Sequence, residues 1–120
     1  ASRGPQLYTG ERRDRFPINR GLLLTLTEPP AGMEEEFNAW YNTEHIVRLR
    51  TVPGVITGRR FRAYSGLPMY LAVYHLASLE VPKSPEWRTA AATPWTERML
   101  KLRFAHERFL FTPDGAGTSR

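Results

Sequence analysis

Residues 33–54, MEEEFNAWYNTEHIVRLRTVPG, decide the fold. Residues 33–50 hold neither Gly nor Pro, and the acidic run Glu34, Glu35, Glu36 suits the positive end of a helix dipole. A helix is therefore predicted here, stopped by Val52, Pro53 and Gly54. Upstream, residues 21–27 form an apolar run of strand length that ends against Pro29, Pro30 and Gly32, where two prolines break any ladder. Downstream, residues 55–64 and 69–76 read as two strands of a hairpin turning through Ser65, Gly66, Leu67 and Pro68.

Beyond Leu79 the prolines at 82, 85 and 94 predict a broken helical region, with Ser84 capping a short helix and Thr93 capping a second that runs toward Leu102. A last strand is expected within residues 103–111, before a tail rich in Pro, Asp and Gly. The order β, α, β, β, α, β is the split βαβ unit of the ferredoxin-like α+β class, with a four-stranded antiparallel sheet. Helices on one face leave the other bare. Strands this apolar do not leave such a face wet, so a homodimer with sheets packed face to face is expected. The predicted organisation is an arm over 1–20, one domain over 21–112 and a flexible tail over 113–120.

At 120 residues, 41% hydrophobic and without cysteine, the chain fits one globular domain and excludes disulfide staples and thiolate chemistry. The +5 charge is concentrated in residues 1–20, where five arginines face Glu11 and Asp14 for a surplus of +3, leaving +2 for the rest. So weakly basic a body argues against nucleic-acid binding. No apolar run spans a bilayer, and the polar, arginine-bearing start lacks the apolar core of a secretory signal, so a cytoplasmic protein with no membrane partner is expected. His45, His75 and His106 show no HxH or HExxH spacing, and no GxGxxG, GxxxxGK[ST] or GxSxG occurs. Neither a metal nor a nucleotide cofactor is expected. The chemistry is left to side chains.

At about 100° per residue, Phe37, Tyr41, Glu44 and Arg48 fall on one line of the helix, with Trp40 on one flank and His45 on the other. Taken as the inward face, this sets a carboxylate and an imidazole at the lip of an apolar pocket, the pairing that proton transfer near neutral pH requires. A plainer reading stands beside it. Glu44 and Arg48 are also a favourable i, i+4 ion pair, and a single His near an apolar face is often a packing residue. His75 alternates with Met69, Leu71 and Val73, facing the expected dimer interface, and His106 alternates with Phe104, Arg108 and Leu110; for both the default is structural.

The block Phe37 to His45, then Val52, Pro53, Gly54, then Gly58, Arg59, Arg60, Phe61 and the hairpin strand from Pro68 to Tyr74, resembles EthD-like proteins of the dimeric α+β barrel superfamily over roughly residues 21–111. The resemblance implies a ferredoxin-like subunit, a homodimeric barrel and a cavity between helices and sheet. Relatives in that superfamily include cofactor-free monooxygenases, muconolactone-type isomerases, polyketide cyclases, aldoxime dehydratases and haem-handling enzymes. Matching the block carries candidate roles to Trp40, Tyr41, Glu44 and His45. The resulting expectation is a cofactor-independent lyase or isomerase, of cyclase, dehydratase or decarboxylase type, that moves protons on a small aromatic or polyketide-like molecule. In it His45 is general base or acid, Glu44 its orienting partner, Tyr41 the oxyanion donor, Phe37 and Trp40 the apolar wall, and Arg48 a neutraliser of Glu44 or a ligand for an acidic substrate. The alternatives are a cofactor-free monooxygenase and a non-catalytic small-ligand carrier or accessory protein.

Overall fold

The computed structural model describes residues 20–66, 68–102 and 105–113, so the expected arm, apart from Arg20, and the tail beyond Pro113 lie outside the described residues. Four strands, β1 (Gly21–Glu28), β2 (Val55–Arg62), β3 (Tyr70–Leu76) and β4 (Ala105–Phe111), form one antiparallel sheet in the order β2-β3-β1-β4. With the helical segments between β1 and β2 and between β3 and β4, this is the ferredoxin-like α+β arrangement expected from the element order.

The alternation in β1 decides the two faces. Gly21, Leu23, Thr25 and Thr27 are buried under the helices, while Leu22, Leu24 and Leu26 point the other way and are only partly covered. Register carries the same parity across the sheet: Leu24 stands opposite Val73 on one side and Phe109 on the other, and Leu22 opposite Phe111. The helix-free face therefore carries Leu22, Leu24, Leu26, Leu71, Val73 and Phe109, with His75 on the same side, opposite Leu22. The opposite face packs Leu23, Tyr70, Ala72, Tyr74 and Leu76 into a core with Phe37, Trp40, Ile46, Leu49 and Met99.

The punctuation acts as its chemistry dictates. Gly54 adopts φ +96, and a Cβ there would lie 2.5 Å from Val81 Cγ2, so both the turn and the close approach require glycine. The Ser84 hydroxyl accepts from the Trp87 backbone N–H (3.1 Å) at the start of α3 (Pro85–Ala91), and the Thr93 hydroxyl from the Thr96 N–H (3.0 Å) at the start of α4 (Pro94–Leu100). No helix among the described residues is long and apolar enough to cross a membrane.

The first helix departs from regularity. It runs as α1 (Glu34–Trp40), a π-helical turn (Tyr41–His45) and α2 (Ile46–Leu49), the Ile46 N–H reaching back five residues to the Tyr41 carbonyl. The Thr43 hydroxyl donates to the Ala39 carbonyl (2.6 Å), the back-bonding that bends helices. One extra residue in the turn changes the phase of everything after it. The buried line runs Phe37, Tyr41, Ile46, Leu49, not through Glu44 and Arg48. Placing those two on the inward line assumed a regular 3.6-residue period, which this turn breaks.

Candidate active site

The π turn and the sheet enclose a cavity of about 180 Å³. Its helical roof is mainly apolar, built from Trp40, Leu49, Trp87, Ala91 and Leu100 with Thr96 among them, and its sheet floor is mixed, with Leu23 and Tyr74 beside Thr25, Thr27, His106 and Arg108. His45 and Tyr41 enter from the π turn and Phe37 from α1. Of the residues singled out from sequence, Phe37, Trp40, Tyr41 and His45 therefore meet in one hollow. Glu44 and Arg48 are not in its lining.

The His45 ring stacks on Trp40 (centroids 4.4 Å apart, 23° between planes) and meets Tyr41 edge-on (4.9 Å, 88°). Its Nδ1 is buried without a hydrogen-bond partner in the protein. Burial first, then the charges of His106 and Arg60, push its pKa down from 6.5 to about 4, so at neutral pH the imidazole is uncharged. His106 shifts the same way, by burial and then by the nearby Arg108.

Tyr41 is held from below. Its hydroxyl lies 3.1 Å from that of Tyr74 and 3.4 Å from Thr25 Oγ1, while the Arg60 guanidinium sits 4.3 Å from the centre of its ring. Burial, then the neighbouring Tyr41, hold the Tyr74 pKa well above its ordinary value, so that phenol stays protonated. Arg60 also donates to Asn42 Oδ1 (2.7 Å), and its Nε and Nη2 are buried among the rings of Phe37, Tyr41 and Tyr70.

Glu44 takes a different place from the one expected. Its carboxylate accepts from the Thr93 hydroxyl; Thr93 and Thr96 hydroxyls lie 3.0 Å apart, and Thr96 Oγ1 accepts from the Trp40 indole N–H at 3.1 Å. The carboxylate thus terminates a chain that fixes the indole beneath His45. Arg48 neither neutralises Glu44 nor reaches the cavity: it donates to the Ala90 (2.6 Å) and Thr89 (3.2 Å) carbonyls near the end of α3. The π phase shift and the open carbonyls at that helix end are the physical reason.

Sequence reasoning takes His106 as structural by default and gives Arg108 no role, yet both line the cavity. The signal was the register. Thr25 and Thr27 face the helices, and their partners across the ladder are Arg108 and His106. Among the described residues no group of three His, Asp, Glu or Cys side chains converges on a metal position.

No family model and no curated relative matches the chain. Solved structures do. SnoaB, a cofactor-independent oxygenase from Streptomyces nogalater, is 15% identical with a TM-score of 0.57 over 85% of this chain and 100% of its own. An EthD family protein from Bacillus halodurans is 16% identical, with a TM-score of 0.52 over 78% and 98%. The haem degrader MhuD from Mycobacterium tuberculosis, solved with two haems in its active site, is 19% identical, with a TM-score of 0.57 over 78% and 95%. A cavity of about 180 Å³ is too small for a porphyrin. At these identities the likeness is one of architecture: this protein has the ferredoxin-like α+β fold that these structures share.

Proposed function

We propose that the chain is a cofactor-independent oxygenase that converts a small, electron-rich phenol or enol, of one or two rings, into the corresponding quinone or ketone. The observation that carries this reading is the neutral imidazole of His45 facing an apolar cavity. The volume supports the size class, since drug-sized ligands fill roughly 300–1,000 Å³.

The depressed His45 pKa favours the more acidic of the protons open to such a site. A phenol near ~10 lies about six pKa units above an imidazole at about 4, so its deprotonation is uphill by roughly 8 kcal/mol. That fits beneath the ~13–17 kcal/mol barriers of enzymes turning over at 1–10³ s⁻¹. An unactivated carbon acid, several units weaker, consumes most of that margin before any bond rearranges. For this reason oxygenation is preferred to the lyase or isomerase alternatives, and the SnoaB likeness supports it.

In the proposed sequence His45 takes the hydroxyl proton, and the electron-rich anion gives one electron to dioxygen. The two radicals join to form a carbon–oxygen bond. The O–O bond then breaks: one oxygen stays as the new carbonyl, and the other leaves as water with the two hydrogens lost from substrate O–H and C–H. Tyr74, staying protonated, donates to Tyr41 and leaves the Tyr41 proton for the substrate oxyanion. Trp40 and Phe37 form the ring-binding wall and exclude water, and Glu44 acts only through Thr93, Thr96 and Trp40.

An oxygen electrode tests the reading. With 1-naphthol or a related phenol as substrate, uptake of one dioxygen per quinone formed is expected, in protein stripped of metal by chelation. Turnover without oxygen uptake would move the site to the cyclase, isomerase, dehydratase or decarboxylase class; binding without turnover would make it a carrier.

The working unit is proposed to be a homodimer closed across the helix-free sheet face. Leu24 stands near the middle of that face between Val73 and Phe109, with Phe61, Phe109 and Phe111 each more than 40% exposed. Sedimentation should give twice the 13.8 kDa chain mass. Leu24→Glu should weaken the dimer by about 10³-fold or more, because the two-fold axis brings a carboxylate from each copy into one apolar interface. A wild-type monomer at micromolar concentration would refute the assignment.

A further inference from the structure

The cavity is divided in polarity and in charge. Its roof is largely aromatic and aliphatic, the β4 side of its floor carries His106 and Arg108, and none of the described residues lining it is acidic. Among the described lining residues Arg108 is the one arginine or lysine, carried on the exposed edge strand β4 opposite Thr25. Arg108 helps hold the His106 pKa below its ordinary 6.5, so at neutral pH His106 is uncharged and Arg108 is the standing positive charge among the described lining residues.

Distance fixes what such a charge can hold. His106 and Arg108 share one face of β4, which separates them by two strand residues, about 7 Å. His106 is the residue of this strand close enough to His45 to bear on its protonation. A ligand whose hydroxyl sits at His45 therefore presents to Arg108 a group on the far side of its ring, distinct from the reacting oxygen. A guanidinium's planar fork matches a carboxylate in two parallel hydrogen bonds.

We infer that the substrate is an aromatic hydroxy acid, its carboxylate held by Arg108 and its ring lying against the Trp40 side of the cavity with the hydroxyl toward His45. This rests on the proposed oxygenase reading for the placement of the hydroxyl, but the carboxylate preference is a property of binding alone. The arginine at the open edge selects acids on entry, and the tryptophan-lined roof admits the ring.

Isothermal calorimetry at pH 7.5 with 2-naphthoate and its neutral isostere 2-naphthamide tests the inference without any turnover. The wild type should bind naphthoate about tenfold more tightly, the value of one charge-assisted contact at a partly exposed position. Arg108→Gln should bring naphthoate to the naphthamide affinity, while Arg108→Lys keeps part of the preference. His45→Gln should lose turnover and keep the preference, which separates failure of the acid site from failure of the oxygenase reading. Equal affinities in the wild type, or an undiminished preference in Arg108→Gln, would overturn the inference, as would the absence of saturable naphthoate binding.

Discussion

Replacing His45 with alanine is expected to lower kcat by roughly 10²–10⁴ while leaving the subunit folded, the usual contribution of a positioned base. The imidazole stacks on Trp40 and borders the cavity, so the shortened side chain leaves a space beside the ring and not a collapsed core; Phe37, Ile46 and Leu49 keep the helix seated on the sheet. On the proposed mechanism the neutral imidazole is the active form, so the wild-type rate should stay flat from pH 8 down to about 5 and fall only as His45 protonates near 4. In the alanine variant the residual rate should instead rise with hydroxide. Steady-state kinetics across that range, with circular dichroism to confirm folding, decide the matter: an unchanged kcat removes His45 from the chemistry.

The second large effect is on stability. A histidine whose pKa falls from 6.5 unfolded to about 4 folded binds fewer protons in the native state. Its contribution is therefore fully present above pH 6.5, is lost as the pH falls toward 4, and amounts to about 3 kcal/mol over that window. That is a large share of the ~5–15 kcal/mol stability of an ordinary domain. Urea denaturation at pH 7 and pH 4 should show a loss greater in the wild type than in His45→Gln by about this amount. Carboxylates such as Glu36, whose pKa is lowered mainly by its hydrogen bond from Arg98, also cost stability in acid, but equally in both proteins, so they cancel in the comparison. Matching acid losses in the two proteins would place the imidazole in a wetter setting than the one described here.

Much of the architecture is legible in the residue string because its punctuation is strong and local. Ser84 and Thr93 each precede a proline and cap a helix, and Pro53 with Gly54 ends the first one. The alternation of β3 correctly separates Tyr70, Ala72, Tyr74 and Leu76 from His75. What periodicity does not reveal is a π turn, since the wheel presumes a constant angle, and beyond that turn Glu44 and Arg48 leave the inward line. Their partners, Thr93 and the carbonyls of Thr89 and Ala90, lie more than forty residues away and become visible only once the chain is folded. Arg60 shows the same limit from the other side. In sequence it is one of three arginines on a strand, whereas in the fold it lies beneath the ring of Tyr41, because β2 at that position turns its side chain toward the helices.

The bulged turn between Trp40 and Ile46 has a genetic corollary. Removing one codon there, for Asn42, would leave a reading frame encoding a helix one residue shorter and regular throughout, with Ile46 and Leu49 still able to reach the sheet four and seven positions after Tyr41. The imidazole would be swung out of register with the hollow it now borders. A single three-nucleotide event can thus move His45 relative to the hollow without altering any of the described residues that line it.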